Sequence, residues 1–214
     1  MNGIVVLISG RGSNLKAICY EGLSSQIKCV ISNKPDALGL IYAQEMGINT
    51  AVIDNKNYTT RELFENKLAE EIKKHNPKLI VLAGFMRILT PSFIQQFPQQ
   101  IINIHPSLLP SFVGVDAVKQ AFDFGTKITG ATVHIVTENL DHGPILAQGV
   151  VSVMQNDNLD TLIKKVLHIE HTILPFVIHK ILNNETDLHT THPKLLYHEN
   201  DIVLLGYPNT QIFY

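Results

Sequence analysis

The chain has 214 residues, of which 45% are hydrophobic and 17% charged, and its formal net charge is −2. Such a composition describes a globular protein with a sizeable core, within the reach of one domain, and excludes a disordered polyelectrolyte. The near-neutral balance gives no basic excess of the kind that meets nucleic acid or a membrane surface, and no apolar run approaches the ~18 residues needed to span a bilayer.

Met1-Asn2-Gly3 carries no basic segment and leads straight into an apolar run, so no signal peptide is expected. Two cysteines, Cys19 and Cys29, are too few for a disulfide framework. Their apolar surroundings predict free, buried thiols in a reducing cytoplasm.

The first half alternates strand-like and helix-like stretches. Ile4–Ile8 is an unbroken apolar run, the pattern of a strand buried on both faces, and Lys28–Ser32, Thr50–Ile53, Leu79–Phe85 and Gln100–Ile104 read similarly. Helices are expected around Leu15–Tyr20, Leu38–Met46, Thr60–His75 and Pro91–Phe97, the third with Leu63, Leu68 and Ile72 near one apolar face. This alternation predicts an α/β fold, Rossmann-like, with a mostly parallel sheet and helices on both faces. Thr129–Thr137 and Pro144–Met154, joined by a turn at Asp141–Pro144, predict an antiparallel addition towards the C-terminus. Leu159–Leu182 reads as a long helix broken or kinked near Pro175. The polar tail from residue 183 ends in an expected small strand or hairpin at 201–205. One domain over 1–214 is the expectation.

Ser9-Gly10-Arg11-Gly12-Ser13-Asn14 follows the first strand and precedes a helix. Glycines permit a tight turn with exposed N–H groups, Arg11 adds a charge, and Ser13 or Asn14 can cap the helix. Leu15 stands where a dinucleotide fingerprint needs glycine, and a Walker A spacing is absent. The loop is therefore either an ordinary strand-to-helix turn or a seat for a phosphate monoester.

Ile101-Ile102-Asn103-Ile104-His105-Pro106 places two polar side chains on one face of an apolar strand, ended by Pro106. An amide and an imidazolium side by side can share one developing oxyanion. Asp141 lies in a turn from which a carboxylate can approach His105, and a nearby carboxylate favours the charged imidazole. The bland alternative is that Asn103 and His105 satisfy buried backbone groups and that Asp141 is a turn residue.

Asn103–Pro110, reading Asn-Ile-His-Pro-Ser-Leu-Leu-Pro, resembles the active-site segment of folate-dependent formyltransferases. Over the whole chain the resemblance is to the phosphoribosylglycinamide formyltransferase family. It is carried by Gly10–Leu15, Ser32-Asn33-Lys34, Leu82–Leu89, Gly130–His134, Leu140–Pro144 and Glu170-His171.

The resemblance implies a catalytic set of Asn103, His105 and Asp141. It also implies that Arg11, Gly12, Ser13, Asn14, Pro106 and Glu170 meet glycinamide ribonucleotide. Arg61, Met86, Arg87, Ile88 and Leu89, with Asn103 and Asp141, would meet 10-formyltetrahydrofolate as co-substrate. The phosphate-binding half would then span about 1–100 and the catalytic, folate-binding part about 101–182, before the peripheral tail. No metal, nucleic acid or membrane partner is implied, and a cytoplasmic monomer or homodimer is expected.

Several residues depart from the family pattern. Ser111 replaces a basic residue, Val113 a proline and Asp116 a histidine, while His142 stands where glycine is frequent. Rival readings are a hydrolase releasing formate from the same folate, a non-catalytic folate- or nucleotide-binding module, and a nicotinamide-dependent oxidoreductase. The last is disfavoured because Asn33 and Lys34, not an acid, end the second strand. His189, His192 and His198 read as a solvated tail, not a zinc site. His134 reads as a sheet histidine, and Phe122 with Phe124 as packing.

Overall fold

The computed structural model describes residues 3–186 and Leu188. Its elements, in chain order, begin with β1 (Ile4–Ile8) and α1 (Ser13–Ile18), then a π turn and a 3-10 turn lead to β2 (Ile27–Ser32). They continue with α2 (Leu38–Glu45), β3 (Thr50–Val52), α3 (Arg61–Lys74), β4 (Leu79–Leu82), α4 (Pro91–Ile94) and β5 (Ile101–His105). The chain then forms α5 (Ala117–Phe124), β6 (Ile128–Ile135), β7 (Ile145–Ser152) and α6 (Leu159–Leu182). The strands form one seven-stranded sheet in the order β3-β2-β1-β4-β5-β6-β7. Pairs β1–β2, β1–β4, β2–β3 and β4–β5 are parallel, while β6–β7 is antiparallel.

The predicted fold class is therefore the observed one: a mostly parallel sheet with an antiparallel C-terminal pair. Two compact units divide the chain. One runs to Asn103 and takes in Ile135–Glu138; the other holds Ile104–His134 and continues from Asn139.

In the first unit the alternation of β1 serves two cores. Val5 and Leu7 join Cys29, Ile31, Ile80 and Leu82 beneath Phe64, Leu68 and Ile72 of α3 and Phe93 of α4. Ile8 faces the other side, where Gly39 of α2 lies against it. Helix α3 starts because the Thr60 hydroxyl accepts from the Leu63 amide, and it ends with Lys73 and Lys74 beside its exposed carbonyls. Its buried face differs by one residue from the expectation: Phe64 is in the core, and Leu63 is 51% exposed.

The apolar run from Leu79 does not stay a strand to Phe85. β4 stops at Leu82, and Gly84 at φ 78° turns the chain away from the sheet. The first helix departs from expectation too: Gly12 at φ 74° is its N-cap, and neither Ser13 nor Asn14 caps it.

In the second unit, α6 runs unbroken from Leu159 to Leu182 with Pro175 inside it, so of the expected break or kink the break is absent. Asn158 and Thr161 form a reciprocal capping box at its start. Gly149 of β7 admits the close approach of α6, because a Cβ there would stand 2.3 Å from the Ile169 side chain. Helix α5 was not anticipated. Of the predicted Phe122–Phe124 packing, Phe124 is exposed, edge-on to Phe112 at 5.9 Å. The predicted strand at 201–205 and the histidines 189, 192 and 198 lie outside the described residues.

Candidate active site

β5 carries Asn103 and His105 two residues apart at its carboxyl end. Leu7, Leu82 and Asn103 stand side by side across β1, β4 and β5, so Asn103 emerges at the sheet edge where the strands end. Open α/β sheets bind their ligands at this edge.

Around His105 the second unit builds a buried polar cluster. The Asp141 carboxylate approaches it from the turn after β6, where Asp141 holds a left-handed φ of 53°. Its Oδ2 lies 3.5 Å from His105 Nδ1, and its Oδ1 lies 3.7 Å from His134 Nε2. The side chains of His105, Asp141 and His134 are 6%, 7% and 2% exposed, so none is diluted by bulk water. The carboxylate also accepts the Gly114 amide at 3.0 Å. On its far side, His105 Nε2 donates to the Phe112 carbonyl at 2.9 Å. Both ring nitrogens thus face acceptor oxygens.

Sequence reasoning placed His134 in the sheet, which is correct, but missed that it shares Asp141 with His105. The alternation of β6 fixes the face of His134; nothing in the spacing reveals the reach of a carboxylate that lies in a turn far along the chain from His105. Thr132 and Gln148 were missed as well. The Thr132 hydroxyl donates to the Ser107 carbonyl at 2.7 Å and accepts the Leu109 amide at 3.1 Å, and Gln148 donates to both Thr132 and the Leu109 carbonyl. These bonds hold the stretch that follows Pro106.

The segment with altered sequence is the one against His105. Phe112, Gly114 and Asp116 all have left-handed backbones, at φ 55°, 84° and 56°. Asp116 sits at the N-cap position of α5 without a side-chain capping bond. His142 is exposed and its Nδ1 donates to the Leu140 carbonyl at 2.6 Å.

The other anticipated residues fall into three groups. Gly10 and Arg11 are exposed, Gly12 and Asn14 buried and Ser13 half-buried, in a loop closed by the Lys16 amide on the Gly12 carbonyl at 2.9 Å. Gly12 is packed against Gly39, and the Gly39 amide donates to the Gly10 carbonyl at 3.0 Å. Met86 and Ile88 are exposed, Leu89 turns into the core, and the Arg87 guanidinium lies 4.9 Å from the Phe64 ring centre. Arg61 is exposed at the start of α3, Pro106 is half-buried, and Glu170 is buried on α6.

The comparisons with known proteins agree with this architecture. The formyl transferase family model matches residues 2–178. The chain belongs to the formyl transferase family, on its phosphoribosylglycinamide formyltransferase branch. It is 41% identical to the phosphoribosylglycinamide formyltransferase of Escherichia coli over 190 residues, covering 87% of this chain and 90% of that protein. It is also 44% identical to the trifunctional purine biosynthetic protein adenosine-3 of Chironomus tentans, of whose length it spans 13%. Among solved structures, glycinamide ribonucleotide transformylase 1 from Symbiobacterium toebii superposes with a TM-score of 0.86 at 38% identity, over 92% of this chain and 95% of that one. The phosphoribosylglycinamide formyltransferase of Coxiella burnetii gives 0.86 at 41% identity, over 91% and 93%.

Proposed function

We propose that this chain transfers the formyl group of 10-formyltetrahydrofolate to the amine of glycinamide ribonucleotide, a step of purine biosynthesis. The observation that carries the reading is the buried His105–Asp141 pair, two residues along β5 from Asn103. The substrate amine attacks the formyl carbon, and the carbonyl oxygen becomes an oxyanion. Asn103 donates its amide N–H to that oxygen, and His105 donates from Nε2, exchanging the Phe112 carbonyl for it. Asp141 holds the charged ring by Nδ1, and His134 steadies the far oxygen of the same carboxylate. As the tetrahedral adduct collapses, the bond to folate N10 breaks, N10 gains a proton and the former amine loses one, with Asp141 aiding the relay through water. The products are the formylated amide and tetrahydrofolate, so no covalent enzyme intermediate is needed.

Arg11, Gly12, Ser13 and Asn14 then take the ribonucleotide phosphate, with Pro106 and Glu170 meeting the rest of that substrate. Arg61 and Met86, Arg87, Ile88 and Leu89 take the folate, Met86 and Ile88 offering the exposed apolar surface. A cytoplasmic setting and a monomer or homodimer complete the proposal.

Purified protein incubated with 10-formyltetrahydrofolate should release tetrahydrofolate only when glycinamide ribonucleotide is present. Asn103→Ala should lower kcat by about 10²–10³ by removing one oxyanion donor. Folate release without the ribonucleotide would establish the hydrolase instead. Binding of both ligands with no turnover would establish the binding module.

A further inference from the structure

Ser9 is the first residue after β1 and is buried, yet its polar groups meet two separate stretches of chain. Its amide donates to the Gly84 carbonyl at 3.1 Å. Its hydroxyl donates to Asn33 Oδ1 at 2.5 Å, and the same oxygen accepts the Met86 amide at 2.8 Å. Asn33 is buried in turn and passes the contact on, its side-chain amide meeting that of Asn55 at 2.9 Å in the turn before α3. Serine suits this place because one small hydroxyl both donates and accepts.

The stretch that Ser9 holds is an arch. Gly84 turns the chain off β4, Phe85 and Leu89 anchor the two ends in the core, and Met86 and Ile88 between them face outward. Met86 is 73% exposed, so its side chain has little packing to fix it and its backbone must be held from below. The two bonds to Ser9 do that, and Ser9 is also where the Gly10–Asn14 loop begins.

We propose that Ser9 is a positioning residue that sets the Met86–Ile88 arch at a fixed height beside the Gly10–Asn14 loop, acting through the Met86 main chain. The inference rests on the reading of Met86–Leu89 as folate-binding. One buried hydroxyl thereby aligns the apolar surface for a pterin with the loop for a phosphate.

The full chain carrying Ser9→Ala, Ser9→Cys or Ile72→Val tests this. In Ser9→Ala the Met86 amide should exchange with deuterium at least about tenfold faster, and Kd for tetrahydrofolate and KM for 10-formyltetrahydrofolate should both rise about tenfold, with kcat within about threefold of wild type. Ser9→Cys, nearly the same shape but a weaker donor and acceptor, should fall between, and it carries the test should the alanine variant fail to fold. Ile72→Val weakens the same core at a distance and should leave both folate constants unchanged. Unchanged folate affinity in the Ser9 variants, or an equal loss in Ile72→Val, overturns the proposal. If the wild-type chain itself fails to bind tetrahydrofolate, the functional reading falls, and exchange at Met86 still decides whether Ser9 holds the arch.

Discussion

Gly39→Ala sets two effects of known size against each other. Gly39 is the second residue of α2, where alanine would gain up to about 1 kcal/mol of helix propensity. Its Cβ, however, would stand 2.6 Å from Ile8 Cδ1 and 3.1 Å from Gly12 Cα. Both fall inside the roughly 3.5–4.0 Å of an optimal carbon contact. Ile8 is fully buried, so its methyl has no free volume to retreat into, and overpacking of this kind costs about 1–3 kcal/mol. The clash therefore wins, by up to about 2 kcal/mol. At this chain length that lowers Tm by several degrees, taking about 2–4 °C per kcal/mol.

Gly12 gives way together with Ile8, which distorts the Gly10–Asn14 loop. Thermal melting and steady-state kinetics read both consequences. Tm should fall and KM for glycinamide ribonucleotide should rise several-fold, with KM for 10-formyltetrahydrofolate unchanged. A variant that melts at or above the wild type with an unchanged ribonucleotide KM refutes the close-approach reasoning.

Burial opposes the charge of Asp157, but hydrogen bonds from Lys165, the Met154 amide and Thr161 outweigh it and hold its carboxyl below the usual range. A depressed carboxyl stabilises the fold above its unfolded pKa of about 3.9 and loses that stabilisation as pH falls through the folded value. Asp157→Asn should cost about 2 kcal/mol at pH 7 in urea melts, with the difference from wild type closing in acid. Burial, with the nearby Glu71 charge, pushes the Cys29 thiol up to about 12, and burial also raises Cys19 against its Tyr42 hydrogen bond. Neither should react with a disulfide reagent at pH 8 until the chain is unfolded; rapid labelling of the native protein would contradict this. Burial, and then His168, lower the pKa of His171. The folded state then binds fewer protons than the unfolded one, so stability falls as pH drops below about 6.5. His171→Gln should flatten the loss of stability between pH 7 and 5, and an unchanged slope would remove His171 from that account.

Much of the fold was legible because burial leaves a periodic trace. Ile4–Ile8 is apolar throughout because both faces of β1 are covered, and Thr60 with His75 bracket α3 as its two caps. What periodicity lacks is the place where a chain turns. Leu79–Phe85 is continuous in apolarity, yet Gly84 turns it off the sheet, so the arch was hidden inside a predicted strand. Leu63 and Phe64 are adjacent and both apolar, and sequence alone does not say which of two neighbours about 100° apart on a helix meets the sheet. Helix α5 buries mainly small residues, Ala117, Val118 and Ala121, which make a faint stripe after an irregular loop.

At the site, the pattern of an amide and an imidazole at one strand end was readable, and so was a carboxylate in the turn. The sharing of Asp141 by His105 and His134 was not, because it depends on a left-handed turn residue aiming both oxygens. Ser9 was invisible as a strut because its partners lie 24 and 77 residues away.

The segment against His105 is gripped by its main chain: the Phe112 carbonyl takes the imidazole and the Gly114 amide takes the carboxylate. Main-chain carbonyls are present in every residue type and main-chain N–H groups in all but proline, so these two contacts do not register which side chains their neighbours carry. Ser111, Val113 and Asp116 can therefore depart from the family pattern without altering the grip on His105 and Asp141. Such a hinge between chemistry and surface is where a lineage can revise what meets its ligand without rebuilding what acts on it.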